Sequence, residues 1–406
     1  MKSFCITGVT LTGNKGGACM LHAVMNGFRD PSDPCRFDLL SIYARQDKAE
    51  NQIPDLRIIP SNPILLIGFY LPLSLLLWPL SRFKAGKRFL SLFSFVRAIL
   101  DASLVIDLSG IAFSDGRGIS KIIYNIATCL PSVLFQKKVV KLSQALGPFE
   151  DCINRRCASF ILHRCALVVG RGATSGKYLS SLGLKNSIVL PDVAFTMPSL
   201  PNDKRTAIGI LEKAGWEKSG IIVTPSEVVY SLCRKKGIAY IDLMAEFLIS
   251  LKTKGWNTVL LPHSSSPKGR TNDDLAICEK ILARISNNAV TAAITEEIDP
   301  GVLRAMIAQS SFFIGSRFHA MISALVTGTP SIVIGWGHKY LEVLAMFEME
   351  EWYLDWSELS SEKLLAKLEK LLCQNQQVRA KLQNKIPGIV NEAQRNFILS
   401  KALINP

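Results

Sequence analysis

Gly315-Ser-Arg-Phe-His-Ala-Met-Ile-Ser-Ala-Leu-Val-Thr-Gly-Thr-Pro-Ser-Ile-Val-Ile-Gly-Trp-Gly-His-Lys-Tyr-Leu-Glu-Val-Leu-Ala-Met346 reads as loop, helix, turn, strand, loop, helix. Apolar residues fill the element interiors, while Arg317, His319, His338 and Lys339 stand at the element ends. In an open α/β sheet, strand C-termini and the helix N-termini that follow them form the ligand-binding edge. These cations therefore lie where an anion would be held.

The same alternation extends over the rest of the chain. Residues 3–9 predict a first strand, the loop Thr10 to Gly17 follows, and Ala18 to Phe28 predicts a helix whose N-terminus can face an anion. Further strands are predicted at Leu39–Tyr43, Ala102–Leu108, Lys138–Leu142, Ala166–Val169 and Ser187–Leu190, with helices at Ile119–Cys129, 151–163 and Ser175–Leu182. A Pro-rich polar stretch, Met197 to Asp203, reads as a linker. A second α/β run follows it. Strands are expected at Gly220–Val223, Thr258–Leu261, Ala289–Ile294 and Phe312–Ile314, and helices at Ala239–Lys252, Asp273–Ile285 and Pro300–Ala308. The fold expected is α/β, with two Rossmann-like domains facing a cleft in the GT-B-like arrangement. An N-terminal domain spans 1–196, a second domain spans 204–385, and a helix at 386–406 returns to the first domain. No internal repeat or low-complexity tract appears.

The 406 residues exceed one ordinary core and suit two domains of roughly 200 residues each. Hydrophobic residues make up 48% and charged residues 20%, which excludes a disordered chain. The formal net charge of +14 favours anionic partners, with solubility alone as the plain alternative. The basic residues are scattered without interleaved aromatics, so nucleic acid is not expected as a partner. The 10 cysteines form no CxxC pair and no zinc-ligand spacing, so a reducing cytoplasm and no metal site are expected. Cys5, Cys129, Cys165 and Cys278 sit among apolar neighbours, as buried thiols do. The apolar run at the N-terminus is too short for a signal peptide.

Ile64 to Leu80 breaks the soluble pattern. It carries no charge, contains Pro72 and Pro79, and is followed by Arg82, Lys84, Lys87 and Arg88 and then a second apolar run, Phe89 to Phe95. A spanning helix needs about 20 apolar residues without helix breakers. The reading adopted is a membrane-docking insertion at about 62–97, lying in the interface of an anionic leaflet through residues 64–95, with Tyr70 and Trp78 as interfacial aromatics. A spanning helix and ordinary buried helices are the alternatives. The expected location is the inner face of the cell membrane, peripheral and monotopic.

Two familiar motifs fail. Gly170 to Lys177 approaches a P-loop, but Arg171 and Tyr178 occupy positions that need Gly and Ser/Thr. No GxSxG elbow or HExxH site is present.

Five blocks together resemble the polysaccharide pyruvyltransferase family, in order and over most of the chain. They are Gly13-Asn-Lys-Gly-Gly17; Asp107-Leu-Ser-Gly110 through Asp115; Gln144 to Phe149; Arg171 to Ser175 with Leu182-Gly183 and Pro191-Asp-Val-Ala-Phe195; and Arg317-Phe-His319 with Gly328-Thr-Pro330 and Lys339. Gly17 and Gly172 stand where the family usually has Asp, and Phe318 where it usually has Leu.

The resemblance implies an enzyme that moves the pyruvyl group of phosphoenolpyruvate onto two hydroxyls of one sugar as a cyclic ketal. It implies no further cofactor. His319, Arg171 and Lys339 are the implied catalytic residues, with His319 as the acid/base group. Arg317, His338, Ser316 and Gly337 are expected on the donor side. Asn14, Lys15, Asp107, Asp115, Gln144, Asp192, His263 and Trp336 are expected on the acceptor side or lining the cleft. Each has a plainer role open to it: helix cap for His319, ion pair for Arg171, turn brace for Asp192, loop cap for His263 and core packing for Trp336. Arg171 is expected to reach the site from the first domain as the cleft closes. The apolar insertion points to a lipid-linked glycan acceptor in surface-polysaccharide assembly. The alternatives are a GT-B glycosyltransferase using a nucleotide sugar, for which Glu342 is the acidic candidate near the loop, and a non-catalytic membrane-docking module.

Overall fold

Fourteen strands among the described residues fall into two parallel sheets. The computed structural model describes residues 2–216, 220–265, 273–285, 292–295 and 297–404. The first sheet contains β1 (Lys2–Thr7), β2 (Cys35–Ser41), β3 (Leu56–Pro60), β4 (Leu104–Asp107), β5 (Ile111–Ala112), β6 (Val139–Leu146), β7 (Leu167–Gly170) and β8 (Ser187–Val189). Its order is β3-β2-β1-β4-β6-β7-β8, with β5 beside β6. The second contains β9 (Gly220–Thr224), β10 (Asn257–Leu260), β11 (Ala292–Ala293), β12 (Phe312–Gly315), β13 (Ser331–Gly335) and β14 (Tyr353–Asp355). Its order is β11-β10-β9-β12-β13-β14. Counted within each sheet, both follow the doubly wound 3-2-1-4 pattern, whose ligand crevice opens where the order reverses, beyond the strand C-termini. Those points lie between β1 and β4, and between β9 and β12.

The sequence explains the sheets. Strands covered on both faces must be apolar throughout, and β9 (Gly-Ile-Ile-Val-Thr), β12 and β13 are buried along their whole length. The chain divides into one unit of residues 1–12, 20–196 and 391–406 and a second of 13–19 and 197–390. In the first, the end of the Asn375–Ala402 helix packs Phe397 against Phe28, with ring centroids 5.8 Å apart.

Several boundaries differ from the sequence reading. β3 was not foreseen, because Arg57 interrupts a short apolar run and pairs with the buried Asp38 (Nε–Oδ1 2.7 Å). The helix Pro201–Lys213 starts inside the stretch read as linker, its proline occupying a position that needs no N–H donor. The strand expected at 289–294 appears as Ala292–Ala293, and residues 289–291 lie outside the described residues.

The apolar insertion is helical from Pro63 to Arg82, widening to a π-turn over Leu66–Tyr70 ahead of Pro72 and tightening to 3-10 geometry at Trp78–Arg82. Pro72 cannot donate to a preceding carbonyl, and a π-turn is one way for a helix to absorb the loss. This helix is long and apolar enough to cross a membrane by length and composition. One side of it lies on the core of the first unit, with Leu66 buried and Ile67, Tyr70, Leu71, Leu73, Leu77 and Trp78 packed against that core. Tyr70 stacks on Phe95 at 4.2 Å, and the Arg82 guanidinium covers Trp78 at 4.7 Å. These two aromatics therefore face inward or are covered, the outward face of the helix carries Ile64, Phe69, Leu75, Leu76 and Leu80, and Phe83, Phe89 and Leu92 are exposed in the segment that follows it.

At the reversal point of the first sheet, Asp107 at the end of β4 and Lys141 of β6 form a fully buried ion pair. Burial opposes both charges, yet each partner outweighs that penalty, so the carboxyl lies below and the ammonium above its ordinary value. Burial pushes the neighbouring Cys129 thiol up to about 11, and it donates to Asp107 at 3.3 Å. Removing one partner of a buried pair strands the other charge, at a cost of about 3–5 kcal/mol. Lys141→Met is expected to destabilise the protein by about that amount. Urea unfolding monitors it, and an unchanged midpoint would contradict the pairing.

Candidate functional site

The second unit gathers most of its predicted site residues at the C-terminal edge of its sheet. The first turn of the Lys15–Phe28 helix belongs to the same unit. Asn14 caps that helix: its Oδ1 accepts from Gly16 N at 3.1 Å, and its carbonyl accepts from Ala18 N at 3.1 Å. Lys15 is buried and ion-paired with Glu297, whose other carboxylate oxygen accepts from Ser265 Oγ at 2.5 Å.

Asp274 joins three loops. Fully buried at the start of the Asp274–Leu282 helix, it accepts from Arg317 through Nε (2.7 Å) and Nη2, from Glu227 N at 3.0 Å and from His263 N at 3.3 Å. It thereby links the segments that follow β9, β10 and β12. Burial disfavours the Arg317 charge, but Asp274 more than compensates, so the guanidinium sits above its ordinary pKa. A two-point pair of this kind also fixes the orientation of the guanidinium plane.

His263 is buried just past β10, and burial, then His319, Arg317 and Lys15, hold its pKa well below the ordinary 6.5. It is therefore neutral at physiological pH. His319, half-buried in the first turn of the Phe318–Val326 helix, stands edge-on to Phe318 with centroids 5.2 Å apart. Its Nδ1 lies so near Gly16 that a Cβ there would come within 2.2 Å of it.

Lys339 lies over three aromatic rings, 4.1 Å from the Trp336 centroid, 5.3 Å from Phe318 and 5.5 Å from Tyr340. The rings hold a cation at the N-terminus of the His338–Met346 helix. Trp336, expected on the acceptor side or in the cleft with core packing as its plainer role, lies beneath Lys339 and 5.9 Å from Tyr340. His338 is exposed beside it, and Gly337 is an extended residue at the helix start. Ser316 is fully buried, and its carbonyl accepts from Tyr340 Oη at 2.9 Å, a structural use.

The predicted residues of the first unit are engaged in holding that unit together. Arg171 is 4% exposed, paired with Asp192 at 2.6 Å and bonded to Gly110 O at 3.3 Å. Asp192 also accepts from Ala194 N at 2.9 Å, bracing the turn after Pro191. Asp107 neutralises Lys141. Gln144 donates to Asp107 O at 2.9 Å, and its carbonyl accepts from Arg171 N at 2.8 Å. Asp115 accepts from Glu150 N (2.7 Å), Asp151 N (3.1 Å) and Asn154 Nδ2 (2.6 Å), tying its loop to the next helix. Arg171, Asp107, Asp115 and Asp192 are therefore ion-paired or loop-bracing groups here, whereas Gln144 is bonded through its Nε2 and backbone carbonyl and its buried Oε1 has no hydrogen-bond partner among the described residues. Gly172, where an Asp was expected, has φ +83° and ψ 160°, a region open essentially to glycine alone.

Asp274 and Glu297 escaped the sequence reading. Asp273-Asp274 ahead of an apolar run signals a helix start, but not that the first caps it while the second turns inward to Arg317. Among the described residues no cluster of three or more His, Cys, Asp or Glu converges in a way that could hold a metal ion.

Two doubly wound units of this kind place the protein in the GT-B-like class. The UDP-GlcNAc 2-epimerase of Neisseria meningitidis, solved with UDP-GlcNAc, matches at TM-score 0.61 and 11% identity over 99% of this chain and 100% of that one. The UDP-GlcNAc 2-epimerase of Methanocaldococcus jannaschii matches at TM-score 0.55 and 10% identity over 91% and 92%. Arabidopsis thaliana UGT89C1 with UDP matches at 0.55 and 9% over the full length of both. These likenesses concern the fold. The sequence model of the polysaccharide pyruvyl transferase family matches residues 24–338, and the chain belongs to that family. The amylovoran biosynthesis protein AmsJ of Erwinia amylovora is 24% identical over 282 residues, which span 64% of this chain and 65% of that relative's length.

Two outcomes follow. Gly16→Ala should lower turnover strongly, because the new Cβ displaces the His319 ring, while helix propensity at position 16 gains up to about 1 kcal/mol. Steady-state kinetics beside a melting curve separates the two effects, and full activity would show that His319 need not hold its position. Because the His263 pKa is depressed on folding, the unfolded chain binds the extra proton first as pH falls below 6.5. Its stabilising contribution is full above that pH and declines below it, by up to about 1.4 kcal/mol per pH unit, until the folded histidine also titrates. His263→Asn should flatten the dependence of stability on pH between about 7 and 5; parallel curves for the two proteins would reject the assignment.

Proposed function

We propose that the protein transfers the pyruvyl group of phosphoenolpyruvate to two hydroxyls of one sugar, forming a cyclic ketal on a lipid-linked intermediate of exopolysaccharide assembly. The observation that carries this reading is the convergence of Lys15, Arg317, Lys339, His263 and His319 at one sheet edge, in a chain of the polysaccharide pyruvyl transferase family. Phosphoenolpyruvate carries a phosphate and a carboxylate. Arg317, oriented by Asp274, presents a planar set of donors, and Lys339 a point charge.

His319 gives a proton to the enol methylene, which becomes a methyl group and leaves the adjacent carbon electrophilic. The first sugar hydroxyl adds to that carbon and loses its proton, the carbon–oxygen bond to phosphate breaks, and phosphate departs. The second hydroxyl then closes the ketal and releases its proton. Neutral His263 is available to accept a proton without first losing one. The exposed apolar face and the cations Arg82, Lys84, Lys87 and Arg88 suit a monotopic contact with the anionic inner leaflet, which brings a lipid-borne acceptor to the protein.

The protein incubated with phosphoenolpyruvate and a polyprenol-linked oligosaccharide should release phosphate and add one pyruvyl ketal to the acceptor, read by mass spectrometry. His319→Gln should reduce the rate roughly 10²–10⁴-fold with the fold intact. Stabilisation by a nucleotide sugar, with none by phosphoenolpyruvate and no transfer over a panel of acceptors, would replace this reading with that of a glycosyltransferase.

A further inference from the structure

A second basic site lies in the first unit, apart from every residue assigned above. A pocket of about 440 Å³ is bounded by the turn from β2 into the Ala44–Glu50 helix and by the end of β3, with Ser41, Tyr43, Arg45, Lys48, Ser61 and Asn62 among its lining residues. A volume of this size is in the range of small-ligand sites. Arg45 and Lys48 are exposed and have no ion-pair partner among the described residues, unlike Arg29, Arg36 and Arg57 of the same unit, each of which has a carboxylate. The backbone beneath them is fixed. Buried Asp47 accepts from Ser41 Oγ (2.6 Å), Thr12 Oγ1 (2.6 Å), Thr12 N (2.9 Å) and Leu11 N (3.2 Å).

The pocket's edge continues into the apolar face. Asn62, one of its lining residues, caps the insertion helix by accepting from Leu65 N at 3.0 Å, and Ile64, two residues on, is 84% exposed. Leu76 and Leu92 extend that face at 77% and 75% exposure. Uncompensated cations joined to an exposed hydrocarbon surface complement a ligand that is anionic at one end and hydrocarbon at the other. A free nucleotide or inorganic phosphate would use the cations and leave the apolar face unsatisfied.

We infer that this pocket holds the phosphate or diphosphate of a polyprenyl carrier, with the hydrocarbon chain running along the outward face of the insertion helix. This rests on the reading that the acceptor is lipid-linked, and it names the part of the acceptor recognised and the residues that recognise it. Arg45 and Lys48 supply the charge, and Asn62 marks the junction between the anionic and apolar parts.

The test is binding of the full chain to phosphatidylcholine–phosphatidylglycerol vesicles, with and without polyprenyl diphosphate at matched surface charge. Wild type should gain roughly tenfold or more in affinity from the polyprenyl diphosphate, the size expected of a charge-assisted contact to phosphate that plain anionic lipid does not make. Arg45→Gln/Lys48→Gln should lose that gain, so that its affinities for the two vesicle types become equal. Arg82→Gln/Lys84→Gln should weaken binding to both vesicle types and preserve the ratio between them. No gain for wild type, or an undiminished gain in Arg45→Gln/Lys48→Gln, would overturn the assignment. Equally tight binding of inorganic pyrophosphate without vesicles would overturn the lipid source. Since the assay needs no turnover, failure of pyruvyl transfer and failure of this site are read separately.

Discussion

The bidentate contact between buried Asp274 and Arg317 is the constraint on which the sheet edge of the second unit rests. A guanidinium at a strand end would ordinarily sample many rotamers, and a carboxylate with no exposure to water would ordinarily protonate or find a partner. Asp274 fixes the guanidinium and keeps it charged, while Arg317 offsets only part of the cost to the carboxyl, whose pKa burial still holds above its ordinary value. The same carboxylate accepts from the backbone at His263 and Glu227, so three strand-end segments are held in register by one side chain. Preorganisation of this kind lets a charged substrate meet donors already oriented.

The two units treat their charges differently. Near the reversal point of the first sheet, Asp107 and Lys141, and Arg171 and Asp192, are buried and mutually neutralised. Around the sheet edge of the second, the cations Lys15, Arg317 and Lys339 outnumber the carboxylates Asp274 and Glu297. The depressed pKa of His263 registers that surplus, since after burial its main causes are the neighbouring His319, Arg317 and Lys15. Lys339 has its charge placed over the faces of Trp336, Phe318 and Tyr340, which help to position it. Phe318, in place of a more usual Leu, supplies one of those faces and also the edge against His319.

The insertion shows how one helix can satisfy a core and remain apolar outside. Positions 66, 70, 73 and 77 recur at helical spacing and face inward, and the intervening Ile64, Phe69, Leu75, Leu76 and Leu80 face outward. A helix packed along one side against its own unit has only the other side to offer lipid, which suits contact with a bilayer surface better than passage through it.

The sequence by itself determined the α/β alternation, both sheets in outline, the apolar insertion and the cationic strand ends at Arg317, His319 and Lys339. These are written in local periodicity and in which residue types interrupt it. Only the tertiary structure decided which charged residues are spent on each other. Arg171, expected as a ligand, is ion-paired with Asp192, and Asp274, which reads as part of a helix start, orients Arg317. Nor could the sequence place Gly16 beside the His319 ring or Trp336 beneath Lys339. For the three contacts that are distant along the chain the physical reason is the same. Pairing, burial and close approach join residues as many as 303 positions apart, and local patterning carries no record of which distant side chain will fill the remaining coordination of a charge.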